Sequence, residues 1–181
     1  MTEIETVRRF VFGPECPAAG ALSRVPMVPG YYAIFVDDGG SLPRPYGDVL
    51  LQRATNLIYV GIATVSLYNR LVEQDLQHRR PSTFFRGIGS ILGYRPPRGS
   101  LVGRANQNNY KFCAADTTEI IKWINGHLSV NWVESDPALQ TTEVSLIRAY
   151  RPFLNTKHNP DRLSQLAALR DECRRLASAL G

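Results

Sequence analysis

Apolar positions gather first in two short β-rich runs and later recur at helical spacing. Gly30-Tyr31-Tyr32-Ala33-Ile34-Phe35-Val36 is stopped by the turn residues Asp37-Asp38-Gly39-Gly40, and Leu57-Ile58-Tyr59-Val60-Gly61-Ile62 reads as a second strand. Between them Pro43 and Pro45 break the chain, and Val49-Leu50-Leu51 fits either a helical turn or the start of the second strand's hairpin arm. Ser66 can cap a helix running to about Arg79, with Leu67, Tyr68, Leu71 and Val72 as its apolar stripe and Arg70, Gln74, Gln77 and His78 on the opposite face. Gly87, Gly89, Gly93, Pro96, Pro97 and Gly99 then divide the chain into short pieces. Thr117 to His127 suits a helix, and Leu128 to Val133 alternates as a half-buried strand does. Asp136-Pro137 opens a further helix that ends near Tyr150, because Arg151 precedes Pro152 and a residue before proline is pushed out of the helical region. Asn159-Pro160-Asp161 precedes a last helix whose Leu166, Leu169, Cys173, Leu176 and Leu180 form an apolar stripe; nothing in it points to chemistry. Residues 1–28, with Pro14, Pro17 and Pro26, read as an irregular arm.

Composition narrows the class. The 181 residues are 44% hydrophobic and 20% charged, which fits one globular unit without long disorder. No apolar run approaches the roughly 20 residues that span a bilayer. Glu3, Glu5, Arg8 and Arg9 stand where a signal peptide would be apolar, and Cys16, Cys113 and Cys173 form no C-x-x-C pair. Neither a disulfide framework nor a zinc knuckle is expected, and a reducing, cytoplasmic location suits the chain best. His78, His127 and His158 lack H-x-x-x-H spacing, which argues against zinc.

The net charge of +5 is unevenly placed. No acidic residue lies between Asp75 and Asp116, while Arg79, Arg80, Arg86, Arg95, Arg98, Arg104 and Lys111 fall there among Phe84, Phe85, Tyr94, Tyr110 and Phe112. A cationic stretch interleaved with rings either attracts a phosphate backbone or is a solvated basic loop. A sharper anomaly is Glu143, which shares a helical stripe with Leu139, Leu146, Ile147 and Tyr150. Burying a carboxylate unpaired costs on the order of several kcal/mol, so Glu143 either reaches solvent at the stripe's edge or is paired, protonated or bound to a cation.

Gly30-Tyr31-Tyr32, Tyr59-Val60-Gly61, Arg70, Glu143 and Asn155 within Arg151-Pro152-Phe153-Leu154-Asn155 agree in order, element type and identity with one known pattern. Together they resemble the GIY-YIG nuclease superfamily, over about Pro29 to Pro160. Tyr31 and Val60 stand where the two motifs have isoleucine, the hairpin is longer than usual, and one extra residue lies between Gly61 and Arg70. Several members carry His or Lys one helical turn after the arginine, a position held here by Gln74. The resemblance implies an α+β fold with a small, three-stranded, mainly antiparallel sheet flanked by helices. It divides the chain into an arm (1–28), a nuclease domain (29–160) with a basic insert near 79–111, and a C-terminal helix (161–181) packed on it.

By the same resemblance, Tyr32, Tyr59, Arg70, Glu143 and Asn155 are catalytic, with Tyr59 as general base, Tyr32 in its hydrogen-bonded network and Arg70 on the scissile phosphate. Asn155 would fix the tyrosines or the phosphate, and Glu143 would hold one Mg²⁺ or Mn²⁺. His78 and the seven basic residues from Arg79 to Lys111 would bind nucleic acid, with DNA the expected substrate. The competing expectations are a binding module of the same fold that does not cut, and an interaction domain using the C-terminal helix.

Overall fold

The computed structural model describes residue 13 and residues 15–53, 55–135 and 140–179. Four strands form one sheet in the order β1-β4-β2-β3: β1 (Cys16–Pro17), β2 (Gly30–Val36), β3 (Leu57–Ala63) and β4 (Leu128–Glu134), all paired antiparallel. Three of them are the strands expected from the sequence. β2 is central and buried at every position, as its unbroken apolar run requires. Tyr32 faces Gly61 of β3 across one ladder and Trp132 of β4 across the other.

The fourth strand belongs to the segment read as an irregular arm. Cys16 and Pro17 pair with Val130 and Ser129, and a 3-10 helix (Ala18–Ser23) buries Ala18 and Ala21. The carbonyls of Pro26 and Val28 then accept the amides of Tyr68 and Leu67, so this segment braces the sheet. Residues 1–12 and Pro14 of the expected arm lie outside the described residues.

The segment between β2 and β3 settles as a short helix, α1 (Tyr46–Gln52). After β3 the expected α-helix is instead a π-helix over Tyr68–Leu76, which buries Leu71, Val72, Asp75 and Leu76. Its wider winding puts residues five apart on one face. His78 falls beyond it with a φ of 52°, off the face assigned to it.

The glycine-rich stretch that follows is a helix, α2 (Thr83–Ile91), capped by Ser82 and buried from Phe84 to its end. A Cβ at Gly89 would come within 2.5 Å of the Phe112 ring, so its glycine is a contact requirement that outweighs roughly 1 kcal/mol of lost helix propensity. Next come α3 (Ala114–His127), which leads directly into β4, α4 (Gln140–Tyr150) against β3, and α5 (Ser164–Ser178) against α2. The expected start of α4 at Asp136-Pro137, its stripe residue Leu139, and Leu180 of the last helix lie outside the described residues.

The outer edge of β3 is covered. The amides of Phe153 and Leu154 donate to the carbonyls of Leu57 and Ile58, the second at 2.7 Å. The loop after α4 therefore acts as a partial fifth strand, and it carries Asn155 to the level of Tyr59.

Candidate active site

The motif glycines make room for what lies across from them. A Cβ on Gly61 would sit 2.3 Å from Cζ and Oη of Tyr32, and one on Gly30 would sit 2.2 Å from the Val133 carbonyl oxygen. With that space open, the Tyr32 ring crosses β3 and its hydroxyl donates to Asp75 Oδ2 at 2.5 Å. Arg70 Nη1 donates to Asp75 Oδ1 at 2.5 Å, and Ser82 Oγ donates to the same oxygen at 2.6 Å. Asp75 is wholly buried, and these three donors are what make its charge tolerable there. Burial first, and then the Asp75 charge, hold the Tyr32 phenol well above its ordinary range. Burial works against the Arg70 charge, but Tyr32 and Asp75 outweigh it and leave that guanidinium more firmly protonated than usual.

Tyr59 lies two residues before Gly61 on the same strand face, its ring centroid 6.3 Å from that of Tyr32 and 5.3 Å from that of Phe84. Whereas Tyr32 is sealed in, Tyr59 keeps 8% of its surface and lines a cleft of about 290 Å³ with Glu143, Asn155, Lys157, His158 and Arg170. Its phenol is pushed up to about 12 by burial and by Asp75, against the opposing pull of Arg70. Glu143, half-buried on α4, has its carboxyl raised by burial, with Arg70 and Lys157 acting the other way.

Asn155 spends its side-chain amide on the backbone next to Tyr59. Its Oδ1 accepts from the Val60 amide at 2.9 Å and its Nδ2 donates to the Val60 carbonyl at 2.9 Å. The side chain thus completes the ladder at β3 and fixes the strand beside Tyr59. Its amide touches neither tyrosine hydroxyl. Asn159 holds this loop in turn by donating to the carbonyls of Pro152 and Asn155.

A family model described as the GIY-YIG catalytic domain matches residues 30–174, most of the chain. The chain belongs to the GIY-YIG family. Membership makes its catalytic domain one of nuclease type, with a nucleic acid as the implied substrate. Searches of curated proteins and of solved structures return no match. The GIY-YIG match begins at the first motif glycine and runs through most of α5, so the C-terminal helix is part of the matched region. No helix among the described residues is long and apolar enough to cross a membrane.

The basic residues of this GIY-YIG chain divide by location. Arg80, Arg98, Arg104 and Lys111 are exposed. Arg79 pairs with Glu73, and Arg95 ties the Ser90 and Tyr94 carbonyls to Glu172 of α5. Arg86 is buried on α2. His78 stacks on Phe85 at 4.1 Å with both ring nitrogens enclosed and unpartnered, and its pKa falls to about 4 through burial, Arg86 and Lys111. Stacked on Phe85, its ring packs against α2, and its enclosed nitrogens are not presented at the surface.

Three side chains at the candidate site escaped the sequence reading. Asp75 was visible only as the last acid before the basic window, and a spacing of five from Arg70 carries no signal while an α-helix is assumed. Ser82 reads as a helix cap, which it also is. Arg170 lies beside the apolar stripe of α5 and reaches the cleft through contacts distant in sequence.

Proposed function

We propose that the chain is a metal-dependent endonuclease that hydrolyses phosphodiester bonds in DNA, with Tyr59 as the base that activates water. The supporting observation is the convergence of Tyr59 and Glu143 on one cleft, beside Lys157, His158 and Arg170. In-line hydrolysis needs a deprotonated water, a counter-charge for the anionic transition state and stabilisation of the leaving oxygen. Among the described residues no group of three or more His, Cys, Asp and Glu side chains gathers to hold an ion. A lone half-buried carboxylate suits a hard cation that retains most of its water, as Mg²⁺ and Mn²⁺ do. Bound to Glu143, one such ion would supply counter-charge for the transition state and the leaving oxygen.

The protein's side chains supply the rest. Tyr59 is the tyrosine on the cleft and takes the proton of the attacking water. Tyr32, committed to Asp75, supports the network without exchanging protons with solvent. Arg70 and Arg170 both favour the Tyr59 phenolate. Arg70 is paired with Asp75 and is not among the residues lining the cleft; charged at every working pH, it would serve the scissile phosphate as a fixed cation from beside it.

Supercoiled plasmid incubated with Mg²⁺ tests this reading. Nicking or linearisation is expected, blocked by EDTA and absent in Glu143→Ala, whose DNA binding stays close to wild type. Cutting that survives both treatments would remove the metal role. Binding without cutting by the wild type would leave a DNA-binding module.

A further inference from the structure

Arg86 of α2 has no part in this reaction, and Arg170 of α5 enters it only through its charge on Tyr59. Both line a second groove of about 300 Å³ with Thr83, Tyr110, Thr156 and Arg174. Thr83, Thr156 and Arg170 also line the Tyr59 cleft, so groove and cleft are continuous.

Among the described residues neither guanidinium forms a salt bridge. Arg86, 8% exposed, donates a 3.3 Å bond from Nη2 to Thr83 Oγ1 and lies 5.6 Å over the Tyr110 ring, while its buried Nη1 has no partner. Arg170 donates to Thr156 Oγ1 at 3.1 Å and to the Leu154 carbonyl at 3.3 Å, and its Nε is enclosed without a partner. Burial lowers the pKa of both, and for Arg170 the charges of Arg86 and Arg174 act in the same direction. The acid on the groove, Asp171, is already engaged by Arg174.

A buried cation and a half-buried one, side by side without a carboxylate, are costly unless an anion meets them. The fold also makes space for them: a Cβ on Gly87 would come within 2.9 Å of Arg170 Nη2.

We propose that Arg86 and Arg170 form a phosphate subsite, which holds the phosphodiester adjacent to the scissile one on the same strand, with Thr83 and Thr156 beside it. The identity of the strand as substrate rests on the nuclease reading. Capture of a phosphodiester does not, since a strand is bound there whether or not it is cut. The exposed arginines attract the backbone from a distance, and this pair fixes its position.

The test is binding of a short fluorescent oligonucleotide, single-stranded and duplex, in EDTA across a salt series. Wild type, Arg86→Met, Arg170→Met and the double variant are compared, each with its melting temperature. Each single variant is expected to weaken binding about tenfold and to flatten the salt slope by about 0.7 to 0.9. The double variant should add little, because both changes forfeit the same phosphate. Arg86→Met should melt no lower than wild type, since an unpaired buried charge has been removed. Unchanged affinity and slope in the single variants, or fully additive losses, would overturn the proposal. Should Arg86→Met melt lower, Arg86→Lys decides: a return of the salt slope along with stability supports the subsite, and stability without the slope rejects it. Inorganic phosphate is titrated in parallel; binding of phosphate with no effect of the variants on oligonucleotide affinity would make this a free-anion site and reject the strand contact. Plasmid cutting is scored separately, so a wild type that binds with the expected slopes but never cuts removes the nuclease reading and leaves the subsite in place.

Discussion

Tyr59 and Tyr32 share a strand-compatible ring and a polar tip, and their surroundings give them opposite tasks. Tyr32 is closed off and spends its proton on Asp75, whereas Tyr59 opens on the cleft with a pKa near 12. A base whose pKa lies above the working pH is mostly protonated, and its active fraction grows tenfold per pH unit until the pKa is approached. Log kcat/KM should therefore rise with unit slope through the neutral and mildly alkaline range, and Tyr59→Phe should lose orders of magnitude of activity with little change in binding. A flat profile in the wild type would remove Tyr59 from the proton transfer. Asp75→Asn probes the same network from the other side. It leaves Arg70 without its counter-charge, at a cost of about 3 kcal/mol, the low end for a broken pair because the Arg70 side chain is 27% exposed. Since Asp75 raises the Tyr59 pKa, its loss should also move the rising limb of the pH profile to lower pH. Urea titration and the pH profile of the variant check both statements; a stability equal to wild type would mean that the pair is not what holds this helix.

Some side chains of the site are fixed by other side chains, as Tyr32 and Arg70 are by Asp75, and others by the backbone. Asn155 is the clearest case, since both ends of its amide are spent on Val60. Asn155→Ala should cost about 2 kcal/mol for two bonds to a buried backbone, and Asn155→Asp at least as much, because a carboxylate set against the Val60 carbonyl repels it. Both variants should lower kcat with KM nearly unchanged, as expected for a residue that holds Tyr59 and not the phosphate; a large rise in KM alone would restore the phosphate role. The strands were legible because a short run of apolar residues, unbroken or alternating and bounded by turn residues, buries its side chains most readily in a sheet. α2 was not, because glycine ordinarily argues against a helix and the reason for Gly89 lies in Phe112 and Ile120, far along the chain. Glu143 was legible as a carboxylate in an apolar stripe. The Asp75 contact was hidden because the 3.6-residue period used to read the helix is not the period the helix has.

For the whole molecule, the surplus of basic residues is less available to a nucleic acid than its count suggests. Arg79 and Arg95 are ion-paired with Glu73 and Glu172, Arg79 at the surface, while Arg80, Arg98 and Arg104 are exposed and form no salt bridge among the described residues. Replacing those three together should slow association and weaken DNA binding across all sequences, with stability within about 0.5 kcal/mol of wild type. Stopped-flow association at two salt concentrations would show it, and unchanged rates would make these arginines bystanders. Arg95→Ala should instead lower the melting temperature, because Arg95 fastens α5 to the loop after α2. The π-helix bears on a different property of the chain, its tolerance of a change in length. Wound as an α-helix, the present sequence would turn Gln74 toward Arg70; wound as it is, it presents Asp75. Deleting Gln74 leaves Asp75 four residues after Arg70, so ordinary α winding would restore the same pair. Loss of a single codon inside a helix usually rotates everything beyond it out of phase. Here it should bring the segment back into the commoner phase with its charge pair intact, leaving a folded protein whose melting temperature stays close to that of wild type.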